Sequence, residues 1–457
     1  YTDADILPSR LDRYDFSNFA LAKLYEGTAD KGYMLIGSPA IGGLVSEPVN
    51  DRYVVSLAIH GGANGAGAII KHDRLTNTTT SIALGTDKPS APIGKAIQLD
   101  NGALLGGTYR RAQAGLFPQR PAQGVWVQAA DAATPMVDYE LPATDHPCTA
   151  GLCLAVAAEA QFAFVRATDG SIWATAEYRV WTVGSTYPVM ALLAFDPQTG
   201  EPIDDEVYVL MDSLEATLRG TFTEASASGN ILTYLAPALQ SDNVASGQRL
   251  WLVDVSDRDA NNTPASNVSN PVVLSPDGGN FATGTAWQVS FAPTLQESTG
   301  DFYFMTEATA AGPEVQIHRL ELGATVADDP TITTVVTGEA RLPGTPLFEA
   351  SNGLFYYGTR DGRLMSFDPG TNTVAEIADL TAAGLTSDVR GFLSEITPGV
   401  LTGIVVDSSD SQSEVASRAF RYDIVAGGTP TPVVDVNDYI SVQDKFPGLL
   451  PIKYTSQ

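Results

Sequence analysis

Arg110 and Arg111 follow Tyr109 in "LLGGTYRRAQAG", and a second Tyr-Arg pair, Tyr178 and Arg179, precedes Trp181 in "EYRVWT". Of the 4 histidines, His60 ends an apolar run and His146 stands in the connector "TDHPCTAGLC". These residue types suit one reaction. An arginine neutralises a carboxylate and acidifies the neighbouring C–H, a histidine or tyrosine removes that proton, and a tyrosine protonates the departing oxygen. The substrate class is then a uronate-containing polysaccharide, cleaved by β-elimination. His60, His146, Tyr109 and Tyr178 are the catalytic candidates. Lys95, Arg110, Arg111, Arg179, Trp181, Arg219, Trp287, Arg341 and Arg390 are the substrate-binding candidates. The competing reading is structural: surface arginines commonly cap carboxylates on neighbouring loops.

The charge balance sharpens the question. The chain has 457 residues, 53 acids against 26 bases and a formal net charge of −27. Phosphate neutralisation needs clustered Lys and Arg, so nucleic acid is excluded as a partner. Any local group of cations stands out against this background. No apolar run is long enough to span a bilayer. With Tyr1 read as a processed start, the expectation is a monomer that is secreted, periplasmic or on the cell surface. Cys148 and Cys153, closely spaced, are expected to close a disulfide loop in that setting. Sequons stand at Asn77, Asn261 and Asn267.

The elements that position these residues repeat along the chain. A turn with Gly or Asn leads into a β-type run, a variable loop follows, and a second run closes on Asp before another polar turn. Seven copies begin near residues 50, 100, 168, 228, 299, 351 and 398. Val, Ile, Tyr, Phe and Thr dominate the runs, and Gly (42) and Pro (28) supply the turns. Each copy is flanked by further β-type runs such as "KAIQLD" and "TSIALG". The reading is all-β: one domain over 1–457, a seven-bladed β-propeller with four-stranded antiparallel blades. Two β-sandwiches are the runner-up. "DFSNFALAKLYEG" is the best helix candidate, with Asp15 or Ser17 as its cap. Asp73, Asp196, Asp254, Asp368 and Asp423 close third strands and are expected to fix hairpins by accepting backbone N–H bonds. His72 and His318 fall inside third strands and are read as structural.

In such blades the second-to-third-strand loops share one face with the connections between blades. His60, Tyr109, Arg110, Arg111, Tyr178, Arg179, Trp181 and Arg360 fall on or beside the former. Lys95, His146, Arg219, Arg341 and Arg390 fall on the latter, four of them just before a first strand, with Trp287 in the equivalent place of another blade. The expectation is a cationic, aromatic-lined face for an anionic ligand.

"GLFYYGTRDGRLMSFDPGTNTV" resembles a blade of the kelch-like and quinoprotein-like propeller families. The combination of propeller architecture with His, Tyr and Arg also resembles propeller-fold polysaccharide lyases. That resemblance implies a uronate-directed lyase. Non-catalytic binding of a glycan or protein by an extracellular propeller is the alternative. No G-x-S-x-G, P-loop or dinucleotide fingerprint occurs. No cofactor is expected to be required. The one cation candidate is calcium in "DVSDRDANN", through Asp254, Asp257, Asp259 and Asn261, although the loop lacks the sixth-position Gly and closing Glu of a calcium loop.

Overall fold

A computed structural model describes the backbone of the strands and several turns between residues 10 and 435. Side chains are described chiefly in 71–80, 97–107, 125–128, 164–174, 192–203, 293–308, 314–323, 330–382, 393–405 and 420–430. The described residues are all-β and antiparallel. They form a two-stranded hairpin and seven larger sheets of four to six strands, taken here in chain order as the first to the seventh. The sheets span residues 33–83, 90–140, 144–211, 221–273, 288–339, 348–379 and 388–435. By internal contacts the chain divides into two compact units, Tyr1–Phe222 with Asp257–Ala265, and Thr223–Ser256 with Ser266–Gln457.

One expectation fails outright. The helix candidate is instead the hairpin Arg10–Asp15 with Ala20–Glu26, in which Tyr14 faces Leu21. Asp, Ser and Asn between two apolar runs serve a hairpin turn as readily as a helix cap, because both uses rest on the same local side-chain-to-backbone bonds.

Within a sheet, burial falls from the second strand outward. In the fifth sheet Phe302–Ala308 is buried throughout, whereas the fourth strand, Thr331–Glu339, alternates between half-buried and exposed. The second strand is covered on both faces, so its sequence is apolar without alternation. The sixth sheet shows both coverings. Phe355, Tyr357, Met365 and Phe367 pack on Tyr303, Met305, Val315 and Ile317 of the fifth sheet. Tyr356 and Leu364 pack on Val389, Leu401 and Phe420 of the seventh. Gly358 is required at that second contact: a Cβ there would lie 2.3 Å from Val389. In the first unit, Leu105, Val125 and Val127 of the second sheet meet Ile172, Tyr178 and Phe195 of the third.

One edge of the sheets is fixed by short turns between the first and second strands. Leu99 donates its N–H to the Ala103 carbonyl at 2.7 Å, Ala167 to Ser171 at 2.9 Å and Ala350 to Leu354 at 3.0 Å. Gly102, Gly170 and Gly353 close these turns at φ of 83°, 89° and 77°, where other residues are strained. The third-strand aspartates behave as expected where their side chains are described. Asp73, Asp196, Asp368 and Asp423 accept N–H bonds from Leu75, Gln198, Gly370 and Val425 at 2.7–2.9 Å. His72 and His318 are buried and bonded to Thr79 and to Thr306 and Thr334.

Candidate functional site

Neighbouring sheets are stapled at the turn edge by a side chain four residues before the turn glycine. Ahead of Gly170 this residue is Arg166. Its guanidinium donates to the Asp100 carboxylate at 2.7 Å and to the Gln98 carbonyl at 2.6 Å, both in the preceding sheet's turn region. Ahead of Gly353 it is Glu349, which accepts the Glu297 N–H at 3.0 Å. Ahead of Gly399 it is Glu395, nearly buried, which accepts the Ser351 N–H and hydroxyl at 2.7 Å each and the Gly399 N–H at 2.6 Å. Reasoning from motifs missed these residues. The signal was present: a polar residue (Gln98, Arg166, Gln296, Glu349, Glu395) recurs four places before the turn glycine in otherwise apolar strands.

The staple sets the level of the second strands. Leu104–Arg110 and Ile172–Thr182 each begin two residues past their turn glycine and run away from the stapled edge. Tyr109 and Arg110, seven and eight residues past Gly102, therefore stand level with Glu177 and Tyr178, seven and eight past Gly170. Arg179 is one residue further and Trp181 three. The sequence reading put Arg179 and Trp181 at the border of a loop. They lie within the strand instead, because it continues to Thr182, which pairs with Ser185. The strand Thr144–Cys148 joins the same sheet. His146 faces Cys153, and Ala155, two residues on, faces Val180, so His146 is at the level of Thr182. His60 is the last residue of Tyr53–His60, which runs beside both Tyr33–Leu35 and Val45–Ser46 in the first sheet. Backbone register thus brings Tyr109, Arg110, Arg179, Trp181 and His146 to one edge of two packed sheets, with His60 at a strand end in the same unit.

Other expected positions shift. Lys95 and Arg390 do not precede first strands but lie inside them, in Ser90–Gln98 and Asp388–Thr397. Both strands have register irregularities, between Ile93 and Ile97 and between Arg390 and Ser394, that keep an extended strand where a connector was read. Cys148 faces Gly151 and Cys153 faces His146, so the two cysteines are diagonal rather than directly opposed. Asp254 ends a strand and faces Ile231. Arg111, Arg219, Trp287, Asp257, Asp259 and Asn261 lie outside the described residues.

Tyr178 is withdrawn as a proton-transfer group. It is 0% exposed, its hydroxyl donates to the Pro142 carbonyl at 2.8 Å, and burial pushes its pKa up. Its apolar neighbours Ile172, Ala174 and Phe195 make it a core residue.

Arg341 precedes the first strand of the sixth sheet as expected, but it is already engaged. It donates to Glu376 at 2.7 Å and lies 3.6 Å from Asp361. Arg360 contacts Glu307, which is 2% exposed, at 3.0 Å, and Arg363 pairs with Asp379 and Glu376. These contacts show that the inter-sheet connection and the second-to-third-strand turn do meet at one edge. Five carboxylates (Glu307, Glu339, Asp361, Glu376, Asp379) outnumber three arginines there, so the cluster has no surplus positive charge and its arginines cap acids. Tyr357 is buried beneath it; among the described residues its hydroxyl has no hydrogen-bond partner, and burial together with Glu339 raises its pKa. Among the described residues, no group of three His, Cys, Asp or Glu is arranged to hold a metal.

No protein-family model and no curated protein matches the chain. Solved structures similar to it include the polysaccharide lyase Uly1, at 13% identity and a TM-score of 0.46 over 83% of this chain and 89% of that one. An oligogalacturonate lyase in complex with manganese is 12% identical, with a TM-score of 0.43 over 82% and 85%. The β-propeller domain of the Trilobed protease from Pyrococcus furiosus is 9% identical, with a TM-score of 0.39 over 86% and 98%. The likeness is one of architecture, and no site residue is assigned from it.

Proposed function

We propose that the seven sheets are blades of one β-propeller, and that the loop-bearing edge of its first three sheets binds an acidic polysaccharide. The observation that supports this is the shared level of Tyr109, Arg110, Arg179, Trp181 and His146 on two packed sheets. The edge of the second unit is a poorer choice, because Arg341, Arg360 and Arg363 are spent on carboxylates.

The finer reading is cleavage of a uronate chain by β-elimination. An arginine neutralises the carboxylate and lowers the pKa of the adjacent C–H. His60, His146 or Tyr109 removes the proton, the C–H electron pair becomes the new C=C bond, and the glycosidic C–O bond breaks. The departing oxygen takes a proton from an acid group, for which Tyr109 remains once Tyr178 is placed in the core. This reaction uses side chains alone. Incubation with polygalacturonate, followed by the ultraviolet absorbance of the unsaturated product, tests it. Binding without any absorbance change would leave a non-catalytic glycan-binding propeller, a reading favoured by the loss of Tyr178 from the acid–base set. The Cys148–Cys153 bridge belongs to the same extracellular reading; two free thiols by mass spectrometry of native protein would reject it.

A further inference from the structure

We propose that Asn77 is an N-glycan attachment site, and that its first sugar shields Leu75 and the outer edge of the first sheet. This rests on the extracellular reading above and uses no residue of the acidic-glycan site. Three observations lead to it. The first is the turn. Asn77 opens the sequon Asn77-Thr78-Thr79 and lies exposed at the tip of the hairpin between Gly67–Asp73 and Thr78–Ala83, with φ at 54°. The corresponding turns, four residues past their own aspartates, place Gly200, Asn372 and Gly427 at φ of 74°, 55° and 66°. The left-handed bend thus accounts for an Asn or a Gly. Of these four positions, Asn77 is the one Asn followed two places on by the Thr that makes an acceptor; Asn372 is followed by Val374.

The second is an exposed apolar side chain beside the acceptor. Leu75 is 78% exposed, whereas the equivalent positions in the third and sixth sheets hold Gln198 and Gly370. The seventh sheet holds Val425 there, exposed and without a sequon, which makes it an internal comparison. Leu75 and Asn77 are two residues apart, so their Cα atoms lie within about 7 Å of each other. A hexosamine ring on Asn77 spans that distance and can seat its C–H face on the leucine.

The third is the strand that follows. The outer strand of a sheet invites pairing by another chain unless it is charged, bulged, very short or covered. Val137–Glu140, Pro202–Met211 and Thr373–Asp379 carry acids, Thr331–Glu339 and Thr431–Asp435 pair with register shifts, and Val272–Val273 has 2 residues. Thr78–Ala83 is uncharged, reads Thr-Thr-Thr-Ser-Ile-Ala and pairs in unbroken register. The strand Ala20–Glu26 comes near it but does not pair with it. A hydrated glycan next to its first residue supplies the missing guard. The modification joins the Asn77 Nδ2 to C1 of a lipid-pyrophosphate-linked oligosaccharide. The N–C bond forms, the C1–O bond breaks, the lipid pyrophosphate leaves with that electron pair, and one amide proton passes to a base of the transferase. In the folded chain the Thr79 hydroxyl is bonded to His72 at 3.0 Å, so the transfer precedes closure of this hairpin.

The test is glycopeptide mapping of the full chain secreted by cultured eukaryotic cells. The secretory route is imposed on the chain there, so a failure at Asn77 is distinct from a failure of the extracellular reading. Most Asn77 peptides should carry a glycan that begins with a hexosamine. Asn77→Gly, which keeps the left-handed bend as Gly200 and Gly427 do, should abolish it with melting unchanged, and Thr79→Ser should retain it. By light scattering on mild heating, Asn77→Gly should aggregate about threefold faster or more than the glycosylated chain. Adding Leu75→Ser to Asn77→Gly should remove most of that increase. Unmodified Asn77, or glycans confined to Asn261 and Asn267, would overturn the site. Occupied Asn77 with aggregation of Asn77→Gly within about twofold of the parent would overturn the shielding.

Discussion

The two edges of the sixth sheet hold their neighbours in different ways. At the turn edge, Glu395 reaches from the seventh sheet to the Ser351 N–H and hydroxyl, and its own turn's Gly399 N–H completes the set. At the opposite edge, Arg360 reaches the Glu307 side chain of the fifth sheet, while Arg341 and Arg363 pair with Glu376 and Asp379 in the sixth sheet's own outer strand. A backbone N–H is placed by the chain itself, so a bond to it is made with little further ordering. Two long side chains must both be held still to make an ion pair, and water competes for each. At the sixth sheet the turn edge is thus the more firmly fixed side.

Removing the buried acceptor at the fixed edge should cost most. Glu395→Ala leaves two backbone N–H groups near it without an acceptor and should lose roughly 3–5 kcal/mol in urea unfolding. Glu395→Gln, which keeps one acceptor, should lose distinctly less. If Glu395→Ala costs no more than Arg341→Ala, the contrast between the edges is wrong.

Acid should act midway between the edges. His318 is stacked on Phe304 at 4.9 Å, and burial lowers its pKa to about 4 from 6.5. The folded chain therefore disfavours the protonated ring. This contribution is fully present above pH 6.5 and is lost as the pH falls towards 4, on the order of 3 kcal/mol at about 1.4 kcal/mol per unit. His318→Gln should flatten this part of a stability–pH profile; an unchanged slope would assign it to carboxylates such as Asp196 or Asp423, whose lowered pKa values come chiefly from backbone N–H bonds and act at lower pH.

Arg166→Ala should follow at roughly 1–3 kcal/mol, since it removes charged bonds to Asp100 and to the Gln98 carbonyl from a partly exposed staple. The smallest effect is expected from Arg341→Ala, under about 1 kcal/mol, because its pairs are partly exposed, join two side chains rather than a side chain and the backbone, and are screened by salt. Added salt should weaken the Arg341 pairs and leave the Glu395 staple unchanged, a comparison readable from unfolding midpoints with and without 0.5 M salt (about a 4–5 Å screening length).

The architecture was legible because its signals are local. Runs rich in Val, Ile, Tyr, Phe and Thr marked the strands, and Asp after a third strand marked its hairpin. The hairpin at Ala20–Glu26 was misread because Asp15 and Ser17 serve caps and turns alike. The site was legible only as to edge. Strand length decides whether Arg179 sits in a loop or a strand, and a continuous ladder to Thr182 is a tertiary result. Tyr178 and Arg179 are adjacent in sequence, yet Tyr178 is sealed in the core by Pro142 and Phe195, a distinction set by the third sheet's packing against the second. The staples went unseen because a single Gln, Arg or Glu in an apolar strand acquires meaning only when the preceding turn lies against it.

Those staples also give each junction an identity. Every sheet with one carries a reader for the turn before it and offers a turn to the reader after it. Arg166 reads a carboxylate, Asp100, whereas Glu349 and Glu395 read N–H groups. Exchanging the partners would set a glutamate against Asp100, or an arginine against bare N–H donors, and either mismatch is repulsive. A chain of look-alike repeats faces the hazard of docking a sheet onto the wrong neighbour while it folds. Among the described staples, the sign of one side chain sets the junction of the second and third sheets apart from the two junctions of the sixth.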